Sequence, residues 1–495
     1  MKQFDLCVIG GGPSGYAAAM RALDFNKTVI IIEKSQLGGA EIYDGVIASK
    51  SMWEFSKKIS TAKEIMGKEA VLENLNYEKV RNTVNEAITE RKFQLSCHLK
   101  LLQEQAAEKM IYYIKGKARF ISDHEVSIET KDKTYSIWAK NILIASGSRP
   151  RKIDTIEVDE KSIMTSNGIH HIEDFPKSLV ILGAGVIGCE YATIFSNFGK
   201  TKVYLIDKAD RILPFEDEDL AKVVADNLEK NGVVIHHNAQ LKRMEIINGT
   251  VEYEITHSDG SNEIIQVEKA LLSVGRVPNV EGLGIENAGV KLTNQGYIFD
   301  NDTQTNIPHI YAAGDVTGKI ALVNVGEREA RHAVVRMFSG KNIPPIVYDN
   351  ISTIMFLNPE VAAVGMNEID ARKNGIPYKV SKLDYSCIAR AIAMRQTVGF
   401  FKILVTNDDE MKILGMRAVG YHASSAIQAA ALLISMNKGI DELTNLMHPH
   451  PSFIEGVQEC VRMLKGKSIY KSSVFKDKLQ CYSCEEGVFT PLQTI

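Results

Sequence analysis

Residues 4–23 read Phe-Asp-Leu-Cys-Val-Ile-Gly-Gly-Gly-Pro-Ser-Gly-Tyr-Ala-Ala-Ala-Met-Arg-Ala-Leu. Phe4–Ile9 is an apolar run of buried-strand length, and Tyr16–Leu23 is an Ala-rich stretch that favours helix. Thr28–Ile32 is a second β-branched run, closed by Glu33. Strand, helix and strand make a βαβ unit. Gly10, Gly12 and Gly15 sit at its first turn, with the acid about twenty residues on. Such a turn lets backbone N–H groups and a helix N-terminus hold a pyrophosphate. Glu33 is then placed to accept hydrogen bonds from an adenosine ribose.

The pattern recurs. A strand from Ser178 to Leu182 leads into Gly183-Ala-Gly-Val-Ile-Gly188, then a helix, then the strand Lys202–Ile206 closed by Asp207. One glycine fingerprint is weak evidence; two, each between strand and helix, are specific. In the second, Gly183, Gly185 and Gly188 form the turn, and Val186 would border the pocket of a nucleotide held there. Asp207 favours NAD over NADP, because a carboxylate hydrogen-bonds a free 2′-OH and repels a 2′-phosphate. Lys208 and Arg211 lie close by and oppose that preference.

Around these units, residues from about 51 to 110 read as long amphipathic helices and Tyr112–Ser136 as short strands. Asn141–Ala145 is a strand running into Ser146-Gly-Ser-Arg-Pro150, and Ile310-Tyr-Ala-Ala-Gly-Asp315 is another ending at a glycine and an acid. Strands and helices alternate from about 347 to 466, and the remaining residues are polar and lack helical periodicity.

The chain has 495 residues, 45% hydrophobic and 24% charged, enough for about three globular domains. Its net charge of -3 gives no electrostatic drive toward nucleic acid or anionic membrane. The seven cysteines, Cys7, Cys97, Cys189, Cys387, Cys460, Cys481 and Cys484, are scattered and odd in number, unlike a secreted disulfide framework. No apolar run reaches the roughly 18 residues of a membrane helix. The first strand begins by Phe4, which leaves no room for a signal peptide, so a cytoplasmic protein is expected.

These motifs, in this order over about residues 3–466, resemble the flavin- and pyridine-nucleotide-dependent disulfide oxidoreductases, the lipoamide dehydrogenase-like class. The resemblance implies an α/β fold. Two Rossmann-like domains, for FAD and for NAD(P), would be joined to a C-terminal α+β dimerisation domain. The expected divisions are 1–150 and 276–345 for FAD, 151–275 for NAD(P), 346–466 for dimerisation and 467–495 as a tail. By resemblance, Gly116, Ser146, Gly147, Asp315 and Leu322 join the FAD site, and Gly275 joins the NAD(P) site. Lys50 and Glu190 resemble the ion pair beside the flavin. His448-Pro-His450-Pro-Ser-Phe-Ile-Glu455 is similar to the motif that supplies a His–Glu base dyad across a homodimer, here His450 and Glu455. No metal is expected.

Residues 38–50 depart from that family. They read Gly-Gly-Ala-Glu-Ile-Tyr-Asp-Gly-Val-Ile-Ala-Ser-Lys. The family segment runs Gly-Gly-Thr-Cys-x-Asn-x-Gly-Cys-x-Pro-Ser-Lys, so Glu41 and Val46 stand at its two redox cysteines. Neither a carboxylate nor an isopropyl group carries two electrons as a disulfide. The expected activity is therefore transfer from NAD(P)H through FAD to a small acceptor such as a quinone, not disulfide reduction. In this reading Glu41 faces His450 of the partner subunit. Two branches resemble the chain most, the lipoamide-dehydrogenase-like quinone reductases and the soluble pyridine nucleotide transhydrogenases. Transhydrogenation is the alternative activity, and a non-catalytic FAD-containing dimer is the alternative outside enzymology. Cys481-x-x-Cys484 suggests a thiol pair that is redox active, inert or in contact with metal.

Overall fold

The computed structural model describes residues 1–105 and 110–492. The chain divides into two compact units. One comprises Met1–Phe55, Glu73–Phe175 and Lys269–Ile346; the other comprises Ser56–Leu72, Pro176–Glu268 and Val347–Ile495.

In the first unit, the strands Ile111–Lys115, Val29–Glu33 and Lys2–Ile9 lie parallel in that order, followed by Thr134–Ile144. Ile310–Ala312 pairs in parallel with the end of Thr134–Ile144, and Glu125–Glu129 with Lys117–Phe120 extends the sheet antiparallel. Side chains alternate across a strand, so both faces of the parallel part need apolar residues. Leu6, Val8, Val29 and Ile31 pack with Ala18, Ala19 and Ala22 of the helix Pro13–Leu23, and with Ala330, Ala333 and Val334 of the helix Val323–Phe338. Cys7, Ile9, Ile30 and Ile32 face the other way, toward Phe120, Ile128, Ile142 and Ile144. Each of these large side chains contributes about 1.5–3 kcal/mol by leaving water. The helices expected near 51–110 are Val46–Met66, Lys68–Asn74 and Tyr77–Gln105.

In the second unit, Ser178–Leu182, Lys202–Ile206 and Val234–His236 form parallel pairs. The helix Val186–Phe198 is buried from Gly188 to Phe198, its apolar residues together with the polar Glu190, Thr193, Ser196 and Asn197. An antiparallel sheet follows from Gln240–Ile247, Thr250–Thr256 and Asn262–Val267. The C-terminal part is a 7-stranded sheet in the order Ser352–Met355, Val361–Gly365, Ile413–Val419, Phe400–Thr406, Tyr378–Asp384, Leu479–Glu485, Val488–Pro491.

The last two strands lie in the segment expected as a tail. Leu479 and Cys481 enter one core cluster, whereas Tyr482 and Cys484 enter another on the opposite face. Residues three apart on a strand point to opposite faces. Cys481 and Cys484 are both buried and free. Of the three readings open for this pair, the redox-active and metal-contacting ones are set aside by this geometry, since the two side chains lie on opposite sides of one sheet.

Tyr482 ties the hairpin to a buried charge network. Its hydroxyl donates to Glu368 Oε2 at 2.8 Å, as does Tyr378 at 3.0 Å. Lys402, 3% exposed, has its Nζ 2.7 Å from Asp217, 2.7 Å from Asp219 and 3.0 Å from Glu368. Burial alone pushes the Lys402 ammonium toward losing its proton, but the three carboxylates outweigh that and hold its pKa above the usual lysine value. Beside it, buried Arg417 donates from Nε to Glu216 at 2.9 Å and from Nη1 to the carbonyls of Val364 and Gly365. No helix among the described residues is long and apolar enough to cross a membrane.

Candidate functional site

The two glycine turns are built alike. Gly10 has φ +112° and Gly183 φ +102°, conformations that L side chains rarely adopt. Gly15 carries no Cβ because one would lie 1.9 Å from the Gly10 carbonyl oxygen, which would push the helix off the strand. Gly12 and Gly185 precede the helices Pro13–Leu23 and Val186–Phe198, and neither helix start has a side-chain cap. A Cβ built on Gly12 or Gly185 meets nothing within 4 Å. Each turn thus offers uncapped N–H donors beneath open space, the form a pyrophosphate needs.

The acids at the second strands brace these turns. Glu33 Oε2 accepts from Gly11 N at 2.7 Å and Oε1 from Ser35 N at 2.7 Å. Asp207 Oδ2 accepts from Ala184 N at 2.6 Å and Oδ1 from Ala209 N at 2.9 Å. A carboxylate has about four acceptor positions, so each keeps capacity for a ribose hydroxyl. The residues present therefore fit a dinucleotide at both turns.

Among the other expected positions in the first unit, Ser146, Gly147 and Asp315 meet polar partners at one group of loops. Gly116 N donates to the Glu33 carbonyl at 2.9 Å. Ser146 Oγ donates to the Asn279 carbonyl at 2.7 Å, and Gly147 accepts from Asn279 N at 3.0 Å. Ser148 Oγ donates to Asp315 Oδ2 at 2.5 Å and accepts from Arg276 Nε at 2.7 Å. Gly275, the residue before that arginine, has φ +102°. Leu322 is the residue before the helix Val323–Phe338, whose start has no side-chain cap. Burial lowers the Arg276 pKa, while Asp315 and Asp44 work against that shift. Burial likewise raises the Asp44 carboxyl. His170, whose Nε2 lies 3.4 Å from the Asp44 carbonyl, is driven down to about 4 by burial. Sequence reading missed Arg276, Asp44 and His170.

The segment at 38–50 is a short helix, Gly39–Tyr43, followed by the helix Val46–Met66. Ser49 Oγ donates to the Gly45 carbonyl at 2.6 Å, which pins the junction, and Lys50 lies on the second helix. Val46 is 37% exposed. Glu41 has Arg91 of the helix Tyr77–Gln105 at 3.6 Å. Burial raises the Glu41 carboxyl above its usual range, Arg91 opposes the shift, and Glu327 adds to it. Nothing near residue 41 in sequence signals Arg91, one of many charges on an amphipathic helix.

In the second unit, Glu190 lies on the helix after the second turn, 5% exposed, and its Oε1 accepts from Phe356 N at 3.0 Å. Val186 is the first residue of that helix, and Gly188 is buried within it. His450 and Glu455 meet, Nδ1 to Oε1 at 2.8 Å, and Glu455 Oε2 accepts from Ser452 N at 2.9 Å. Burial raises the Glu455 carboxyl, but Ser452 and His450 bring it below its usual value. The imidazole itself is largely exposed.

The profile of the pyridine nucleotide-disulphide oxidoreductases matches residues 4–330, and that of their dimerisation domain matches residues 351–461. The chain is 33% identical over 481 residues to a dihydrolipoyl dehydrogenase of Bacillus subtilis (strain 168), covering 94% of this chain and 99% of the relative. It is 31% identical to the dihydrolipoyl dehydrogenase of Buchnera aphidicola subsp. Schizaphis graminum, covering 94% and 96%. Among solved structures, LpdA of Mycobacterium tuberculosis superposes with a TM-score of 0.83 at 25% identity over 94% of this chain and 100% of that one. The copper(II) complex of the HOCl-induced flavoprotein disulfide reductase RclA of Escherichia coli gives 0.82 at 25% identity, with the same coverage.

Proposed function

We propose that this chain, which belongs to the pyridine nucleotide-disulphide oxidoreductase family, oxidises NAD(P)H and reduces a small acceptor, a quinone in the leading case, without a disulfide relay. The family binds FAD and a nicotinamide nucleotide, and FAD when bound supplies two-electron acceptance from the nicotinamide. The observation that carries the proposal is the pair Glu41 and Val46 in a segment that keeps Gly38, Gly39, Gly45, Ser49 and Lys50. A carboxylate with its own cationic neighbour, Arg91, has no two-electron chemistry to offer.

In this reading Gly10, Gly12, Gly15, Glu33, Gly116, Ser146, Gly147, Asp315 and Leu322 hold FAD. Gly183, Gly185, Val186, Gly188, Asp207 and Gly275 hold the nucleotide, with NAD favoured by Asp207. Lys50 supplies positive charge beside the flavin and Glu190 orients it. The His450–Glu455 dyad delivers the proton that quinone reduction consumes. The chain acts as a cytoplasmic homodimer, with 1–150 and 276–345, 151–275 and 346–466 as its FAD, nucleotide and dimerisation domains.

Anaerobic titration of the yellow protein with NADH tests this. Loss of the flavin absorbance at about one equivalent supports a flavin with no disulfide behind it. A requirement for two equivalents, or no loss at all, overturns the proposal. Transhydrogenation, favoured by the resemblance around Gly183–Phe195, is separated by supplying a thio-NAD analogue in place of the quinone.

A further inference from the structure

We propose that His236, His257 and Glu263 form a binding site for one divalent transition-metal ion of zinc type within the nucleotide-fingerprint region. One ligand atom of each residue lies within 4.8 Å of the others. His257 Nε2 and Glu263 Oε2 are 2.9 Å apart. His236 Nε2 is buried, with no hydrogen-bond partner among the described residues. A buried imidazole nitrogen without a partner is costly, and a cation ligated in the ring plane satisfies it.

The three side chains come from different elements. His236 ends the parallel strand Val234–His236, its ring lies parallel to Tyr204 at 6.2 Å, and its carbonyl accepts from Asp207 N at 3.1 Å. His257 and Glu263 belong to the hairpin of Thr250–Thr256 and Asn262–Val267. Two imidazoles and a carboxylate are a borderline ligand set suited to zinc at about 2.0–2.2 Å, with water completing the shell. Tetrahedral ligands lie about 3.3 Å apart at those bond lengths, so the His257–Glu263 pair, now at 2.9 Å, opens slightly and shifts toward a fixed His236 by at most about 1.5 Å. The ion would replace the His257–Glu263 hydrogen bond and cross-link the edge strand to the hairpin.

A second histidine cluster, Asp123, His124 and His309, is the internal control. There the imidazoles stack face to face at 3.8 Å and 6°, so their in-plane lone pairs run parallel and do not converge on one ion. His124 Nδ1 already meets the Ala139 carbonyl at 2.8 Å and His309 Nε2 the Asp123 carbonyl at 3.0 Å.

The test is equilibrium dialysis of the chelator-stripped, FAD-loaded protein against buffered Zn2+, with bound metal counted by elemental analysis. The parent protein and His309→Ala are expected to hold one more Zn2+ per chain than His257→Ala/Glu263→Gln. Zn2+ should raise the melting temperature of the first two and not of the last. His257→Gln alone, at a partly exposed hairpin position, keeps the test open if the double variant fails to fold; it should weaken Zn2+ binding at least about tenfold. Equal zinc content in the parent and the hairpin variants, or loss of zinc on His309→Ala, overturns the proposal.

Discussion

The turn at Gly10–Gly15 and the turn at Gly183–Gly188 share more than a glycine pattern. At each, the residue after the first glycine gives its N–H to the acid, Gly11 to Glu33 and Ala184 to Asp207. At each, the same residue's carbonyl accepts from the loop that follows, from Gly38 N at 2.8 Å and from Leu213 N at 2.9 Å. After that brace they diverge. The first loop runs into Glu41 and the altered segment. The second runs into Glu216, Asp217 and Asp219, which Arg417 and Lys402 anchor on the C-terminal sheet. The repeated part does what any dinucleotide requires, and the loop beyond the brace is free to specialise.

The strongest way to break this parallel is Gly15→Val. Its side chain would collide with the Gly10 carbonyl, and the expected result is no soluble yellow protein, checked by flavin absorbance after purification. Lys402→Met attacks only the second brace. It leaves the buried Asp217 without its lysine, while Asp219 keeps Lys382 and Glu368 keeps Arg372, and should cost about 3 kcal/mol in denaturant unfolding. Retention of FAD with weakened NADH binding would sharpen the contrast between the turns.

Smaller effects separate nucleotide from fold. Gly12→Ala and Gly185→Ala meet open space, so the melting temperature of the FAD-free protein should stay within about 2 °C. Gly12→Ala should release FAD more readily, and Gly185→Ala should raise the KM for NADH with FAD retained. Asp207→Asn removes a charge but keeps an acceptor, and the NADH-over-NADPH preference should fall about tenfold, roughly 1.4 kcal/mol. An unchanged ratio would show that the Asp207 charge does not set the preference.

Another effect is confined to acid. His170 is neutral in the fold with a pKa of about 4, so an unfolded histidine binds a proton first as pH falls. Its contribution is full above about pH 6.5 and is lost progressively toward pH 4, up to ~3 kcal/mol. His170→Gln should flatten the stability profile in that window.

Much of this was legible in the sequence because it is local. A strand buried on both faces must be a continuous apolar run, and a pyrophosphate turn must be glycine, so Phe4–Gly15 and Ser178–Gly188 declare themselves. His450 and Glu455 meet across five residues on the way into one helix. The edge hairpin at 479–491 escaped notice because Leu-Gln-Cys-Tyr-Ser-Cys-Glu packs both faces and so breaks the alternation that marks a half-buried strand. Arg91 and Lys402 escaped because a charged residue looks the same in sequence whether its partner is water or a carboxylate.

The chain by itself determined that two dinucleotide units are present, that an acid closes each, and that no dithiol occupies the segment after the first. Those features depend on residue type at fixed short spacing. Only the tertiary structure decided that Glu41 meets Arg91, that Lys402 gathers three carboxylates, that Cys481 and Cys484 point apart, and that His236 comes beside His257 and Glu263. The three charge and histidine clusters depend on elements apart in sequence being packed together, the cysteines on their segment being a strand, and burial, which sequence spacing does not specify, sets what those groups do.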